Sequence, residues 1–237
     1  MDTVPRSPNR LLANLGLGNF ELLSSGLRTV DLVHAEEIAA AGDDLTNAYF
    51  PHSGIISLVT RLTTGEATEI AMVGRDSVYG ASAALVGPKA LTTAVIQLAG
   101  ACSVLPMKQL KDAAEQSSSL RDVLNRHEQA IFVQSQQSVA CIASHTAISR
   151  LSRWLLRARD TAGADEFHFT QDFLAQMLGV RRNAVSAVAS ELQDKGLIRF
   201  ARGHIIIVDV PKLKISACEC YVTVRDELDR LKRSQLN

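Results

Sequence analysis

No apolar run in this chain approaches the roughly 20 residues that a helix needs to cross a bilayer, and the opening MDTVPRSPNR is not followed by the apolar core of a secretory signal. A cytoplasmic protein without a membrane partner is expected. Cysteine is sparse: Cys102, Cys141, Cys218 and Cys220 are spread over a 237-residue chain, which is long enough to fold without covalent staples, so reduced thiols are expected. Only Cys218-Glu219-Cys220 is close-spaced. Zinc takes four ligands, and a C-x-C with neither a second pair nor a nearby histidine is a poor site, so no metal and no identifiable cofactor is expected.

Net charge is also missing, with 25 Lys and Arg against 25 Asp and Glu. The balance is uneven along the chain: residues 1–144 carry 10 basic against 14 acidic residues, a balance of −4, and residues 145–237 carry 15 against 11, a balance of +4. Any polyanion would be met by the second part.

What is present divides the chain further. A hydrophobic fraction of 46% in 237 residues supports more than one core. From about Ile38 to Met107, short apolar runs such as YFPHSGIISLVT, TTGEATEIAMVG and TTAVIQLAGACSVLPM alternate with turn residues, the pattern of an antiparallel sandwich or small barrel. Thr64-Gly65-Glu66 reads as a hairpin turn. From Lys108 to Arg159 there is neither proline nor glycine. Within that stretch Leu120, Val123, Leu124, His127, Ile131, Val139, Ile142 and Ala143 recur at spacings of three and four, predicting a long helix with one buried face. Such a stripe is too long for a small sandwich to cover, which points to pairing with a second copy across a two-fold axis. In AISRLSRWLLRARD, Ile148, Leu151, Trp154 and Leu155 are expected inward, with Arg150, Arg153 and Arg157 outward.

The stretch FTQDFLAQMLGVRRNAVSAVASELQDKGLIRF, Phe169 to Phe200, carries the most specific signal. Thr170 is placed to cap a helix running through Leu178. Gly179 can take the left-handed conformation that ends it and turns the chain. A second helix from about Arg182 to Lys195, stopped by Gly196, sets Val185, Val188, Ala189 and Leu192 inward. Its other side carries Arg182, Asn183, Ser186, Ala187, Ser190 and Gln193, small or polar and free of acid through Ala189. A helix entering the major groove must fit a trough about 12 Å wide and keep carboxylates from phosphates. Arg182 and Asn183, with Ser186 and Ala187, are therefore the expected base-reading residues. Thr170, Arg181, Ser190, Arg202 and His204 are expected at phosphates. LIRFARGHIIIVDV then reads as a hairpin turning at Arg202-Gly203, which makes the unit a winged helix, and Pro211 opens one final helix.

In this order of elements, and in the quoted stretch above all, the chain resembles the CRP/FNR family of bacterial transcription regulators over nearly its whole length. The resemblance implies an α+β fold: an N-terminal antiparallel β jelly-roll of the cyclic-nucleotide-binding-like type (residues 1–107) that senses an effector, a long dimerisation helix (108–144), and a C-terminal winged helix-turn-helix (145–237). It also implies a homodimer on double-stranded DNA with a palindromic operator, RNA polymerase as a further partner, and no enzymatic activity. The family's base-reading pattern is Arg-Glu with a second Arg four residues after the Glu. Here Arg182 keeps the first arginine, Asn183 stands for the glutamate and Ala187 for the second arginine, so the operator is expected to differ.

Cyclic-nucleotide-binding members carry Gly-Glu before a short helix and, roughly ten residues on, Arg-Ser or Arg-Thr. Gly80-Ala81-Ser82 and Thr92-Thr93 stand in those places, without the ribose-binding acid or the phosphate-binding arginine. Losing that charge-assisted pair removes about 1.5 to 3 kcal/mol, so cyclic AMP is not the expected effector, although Arg75 or Lys89 could bring charge from elsewhere. An unidentified effector near Gly80, Ala81, Ser82, Thr92 and Thr93, or none, is expected. His34, His52 and His127 leave haem open, and no cysteine precedes Cys102 to build an N-terminal iron-sulfur cluster. Two other classes remain: a ligand-binding module acting through protein partners, and a thiol enzyme built on Cys141 and His145, which lacks an evident oxyanion donor.

Overall fold

The computed structural model describes residues 7–233; residues 1–6 of the N-terminal stretch read above lie outside it. Two short helices that the periodicity did not announce come first, α1 (Arg10–Ala13) and α2 (Leu17–Ser24). Asn9 caps α1 by accepting from the Leu12 amide at 3.1 Å and donates its Nδ2 to the carbonyls of Pro51 and Ser77, which ties the segment to the strands. The strands follow: β1 (Arg28–Leu32), β2 (Glu37–Ala39), β3 (Asn47–Pro51), β4 (Ile55–Arg61) and β5 (Ala67–Val73), then α3 (Ala81–Leu85), β6 (Thr93–Leu98) and β7 (Gly100–Pro106).

They pair antiparallel in two sheets, β1-β7-β3 and β2-β6-β4-β5. One apolar core joins residues of both, Phe50, Val104 and Leu105 from one sheet with Ile56, Ala94 and Ile96 from the other. The β4–β5 hairpin turns at Thr64-Gly65 as the sequence suggests, closed by the Leu62 amide on the Glu66 carbonyl at 2.8 Å. The run TTAVIQLAGACSVLPM is not one strand. It breaks at Ala99, and its halves belong to different sheets, so the segment is the corner that joins them.

The long helical stretch is also divided, into α4 (Met107–Gln116), α5 (Ser118–Ser144) and α6 (Ala147–Ala162). The breaks fall where hydroxyl side chains offer the backbone a cap in place of continued helix. Ser117 accepts from the Leu120 amide at 3.2 Å and Thr146 from the Ser149 amide at 3.3 Å. The stripe on α5 is buried only in its first half, where Leu120, Val123 and Leu124 join the sandwich core. Farther on, the buried positions are Gln134, Ser138 and Cys141, while Phe132 and Val139 stand 62% and 65% exposed. Gln134 accepts from the Met72 amide at 2.8 Å, so a polar residue satisfies a strand amide where an apolar one could not.

Helix α6 departs from expectation in its arginines. Arg150 and Arg157 are buried. Arg150 donates to the Ile142 carbonyl at 3.0 Å, bridging α5 and α6, and Arg157 lies 3.7 Å from Asp76 of the sandwich. Trp154, fully buried, donates its Nε1 to Glu69 of β5 at 2.6 Å, and Ser57 of β4 donates to the same carboxyl. The buried arginines of α6 therefore meet α5 and the N-terminal sandwich rather than solvent.

The chain then forms β8 (Glu166–His168), α7 (Gln171–Leu178), α8 (Arg182–Asp194), β9 (Ile198–Ala201), β10 (His204–Ile207), α9 (Val210–Ser216) and α10 (Cys220–Arg233). A second core gathers Leu151, Trp154, Phe167, Leu174, Leu178, Val185, Leu192, Ile198 and Ile205. The hairpin gains β8 as a third strand, in the order β8-β10-β9. The single final helix expected after Pro211 is two: Asp209 caps α9, and the chain opens at Ala217 before α10 begins.

Candidate nucleic-acid interface

Local sequence builds the helix-turn-helix as expected. The Thr170 hydroxyl accepts from the Phe173 amide at 3.1 Å and starts α7. Gly179 takes φ 59°, and its amide reaches the Gln176 carbonyl. On α8, Val185, Ala189 and Leu192 are fully buried, whereas Arg182, Asn183, Ser186, Ala187 and Ser190 are all exposed. The wing turns at Arg202 and Gly203 with φ 51° and 80°. A side chain at position 203 would bring its Cβ to 2.5 Å from the Phe169 carbonyl, so glycine is required there.

The structure sorts the candidate residues into groups. Arg182, Thr170 and Arg202 line one open groove of about 780 Å³, together with His34 and Leu98 of the sandwich. Arg182 pairs with Asp172 at 3.3 Å, and Gln171 donates to Ser186 at 3.2 Å. These two contacts between the starts of α7 and α8 orient the reading face. Sequence reasoning did not single out Gln171 or Asp172, because their partners lie on the next helix. Arg181 lies apart, beside the β4–β5 turn at Gly65 and Glu66. Ser190 and Asn183 stay on the outer face of α8. His204 is not free at the wing tip: it stacks on His168 with ring centroids 4.3 Å apart and pairs with Glu166 at 2.5 Å. Gln193, expected on the outer face, accepts from the Phe200 amide at 2.8 Å and joins helix to wing.

The sandwich holds a cavity of about 190 Å³ between its sheet, α3 and α5. Gly80, Ser82 and Thr92 line it together with apolar side chains and Glu128, and its lining includes no Arg or Lys. Ala81 and Thr93 do not line it: Ala81 is packed in the core, and the Thr93 hydroxyl accepts from the Ala41 amide at 3.3 Å. The three histidines have local partners. His34 meets the Gln97 carbonyl at 2.9 Å, His52 the Ser103 hydroxyl at 2.7 Å, and the buried His127 accepts from the Val78 amide at 3.2 Å.

The premise behind the poor-metal-site reading needs correction. Cys218 and Cys220 are not solitary, because the fold brings the end of α5 against the α9–α10 turn. Cys141, His145, Cys218 and Cys220 place their ligand atoms within 4.8 Å of one another.

Residues 149–215 match the family model described as the Crp-like helix-turn-helix domain. This stretch of the C-terminal part is similar to Crp-like helix-turn-helix domains. Most of the chain shares its fold with solved structures of CRP/FNR regulators. It superimposes on FixK2 from Bradyrhizobium japonicum with TM-score 0.69 at 18% identity, over 81% of this chain and 98% of that one. A putative Crp/Fnr-family transcriptional regulator from Eubacterium rectale gives TM-score 0.66 at 20% identity, over 86% and 96%. CLP of Xanthomonas campestris, described as a c-di-GMP responsive global regulator, gives 0.63 at 14% identity, over 82% and 100%. Curated proteins give no match. Around the Crp-like domain, no helix among the described residues is long and apolar enough to cross a membrane.

Proposed function

We propose that this chain is a homodimeric, sequence-specific transcription regulator that docks α8 in the major groove of a palindromic operator. The observation that carries the reading is the sidedness of α8. Its inner residues are fully buried in the Crp-like domain, while Arg182, Asn183, Ser186 and Ala187 form an exposed surface from which arginine can pair with guanine and asparagine with adenine. Arg202 and Thr170 in the same groove as Arg182 would meet the phosphates that set its register. Arg181 would reach the backbone from the α8 start, where no side chain caps the free amides and the positive end of the helix favours an anion.

Residues 1–107 would serve as the sensor, 108–144 as the dimerisation helix and 145–237 as the DNA-binding part. Dimerisation is supported by Phe132 and Val139, exposed and seven residues apart on one side of α5. Cyclic AMP does not suit the sandwich cavity, whose lining sets Glu128 rather than a cation toward any phosphate. Calorimetry with cyclic AMP and cyclic GMP should show no micromolar binding. Binding to DNA should fall steeply with salt, and half-sites should lie about 10 bp apart. Arg182→Ala should weaken a specific site by about 1 to 3 kcal/mol while leaving non-specific binding much less changed. An unchanged specific affinity in a fluorescence-anisotropy titration would remove α8 from the groove.

A further inference from the structure

We infer that Cys141, His145, Cys218 and Cys220 form a closed Cys3His site for a divalent zinc-type cation, which fastens the C-terminal helix to the end of the long α5 helix. The first two ligands lie one helical turn apart at the end of α5, where His145 is the residue that leaves the helix. The other two come from the turn between α9 and α10, 77 residues beyond Cys141 in the case of Cys218.

Tetrahedral zinc with bonds of about 2.3 Å to sulfur and 2.0 to 2.1 Å to nitrogen sets its ligand atoms about 3.5 to 3.8 Å apart. Cys141 Sγ lies 3.5 Å from Cys218 Sγ, and Cys220 Sγ lies 3.5 Å from His145 Nδ1. All four ligand atoms fall within 4.8 Å of one another. Small adjustments of the side chains complete the tetrahedron.

The surroundings fit a ligand set rather than stray thiols. All three cysteines are buried. His145 presents Nδ1 to the cluster, and its Nε2 lies 3.2 Å from the Glu219 carboxylate. A carboxylate on the outer nitrogen fixes the tautomer and orientation of a metal-bound imidazole. Gln137 donates its Nε2 to Cys220 Sγ at 3.0 Å, a hydrogen bond that a metal-bound thiolate accepts well. Four protein ligands leave no open position, the arrangement of a structural rather than a catalytic zinc.

The position gives the site its consequence. It sits where α5 hands over to α6 through Ser144, His145 and Thr146, the junction between the dimerisation helix and the Crp-like domain. A bound cation would hold α10 and this junction as one body, so metal loss would loosen the link between the two parts.

The test is metal analysis of the full chain purified under reducing conditions and loaded with zinc alone. We expect one zinc per chain that survives gel filtration and is released when the thiols are blocked with an organomercurial. Cobalt in its place should give the strong visible absorption of a tetrahedral thiolate complex, a readout on the unmutated chain that does not depend on variants folding. Cys218→Ser and Cys220→Ser should abolish retention, and Cys102→Ser, remote in the sandwich, should not. Glu219→Gln should weaken zinc affinity by about 10-fold or more through His145. Metal loss should raise amide exchange at the α9–α10 turn. A chain that retains no zinc and whose thiols titrate freely, or that carries a Cys141–Cys218 disulfide under the same reducing conditions, would overturn the proposal. So would a chain isolated with iron and sulfide instead of zinc.

Discussion

Helices α6 and α8 look alike as text and behave oppositely in the fold. Each has an apolar side at spacings of three and four and an arginine-bearing polar side. On α6 the polar side is pressed against the sandwich and α5, with Arg157 beside Asp76 and Arg150 on the Ile142 carbonyl. On α8 it stands in solvent, with Arg182 two-thirds exposed. Periodicity identifies the side that leaves water. It does not say whether the other side meets solvent, DNA or another part of the chain.

The sharpest break of this comparison is Arg157→Ala. It removes a buried guanidinium that lies 3.7 Å from Asp76, and loss of one partner of a buried pair costs about 3 to 5 kcal/mol. The 3.7 Å separation places the expected loss at the low end, measured as a shift in the urea midpoint.

Next comes a pH effect at the same interface. Burial raises the Glu69 carboxyl from an ordinary value near 4.5 to about 7, against the lowering effects of the Ser57 and Trp154 hydrogen bonds and the Arg153 and Arg157 charges. Between those values the folded chain holds a proton that the unfolded chain has released. Stability should therefore fall as pH rises from about 4.5 to about 7, by up to roughly 1.4 kcal/mol per unit from this group, and level off above. Glu69→Gln should flatten that slope, and an identical pH profile in the variant would remove Glu69 as its source.

The smallest effect on folding is expected on α8. Arg182→Ala should change stability by no more than about 0.5 kcal/mol, because its ion pair with Asp172 is solvated on both sides. The same substitution is the one proposed to cost specific DNA affinity. If Arg182→Ala destabilised the chain as much as Arg157→Ala, the contrast between the two helices would fail.

The helix-turn-helix was readable because its determinants are local. Thr170 caps the helix it precedes, Gly179 turns the chain it ends, and Gly203 supplies the wing turn, each within a few residues of its effect. The sandwich was readable as strands but not as sheets. Nothing near Ala99 says that β6 and β7 part company there, since which strand pairs with which depends on partners up to 76 residues away, as for Arg28 and Val104. The strand β1 and helices α1 and α2 escaped notice because their stabilising contacts are distant, such as Asn9 on Pro51 and Ser77.

Sequence by itself determined the helix-turn-helix, its wing and the apolar sides of α6 and α8, because capping, glycine conformation and periodicity act over one or two turns. Tertiary structure decided what the polar sides meet: that Arg150 and Arg157 are buried, that His204 turns to Glu166, and that Cys218 and Cys220 close on Cys141 and His145. Those outcomes depend on chain segments converging across tens of residues, a distance over which local propensity carries no information.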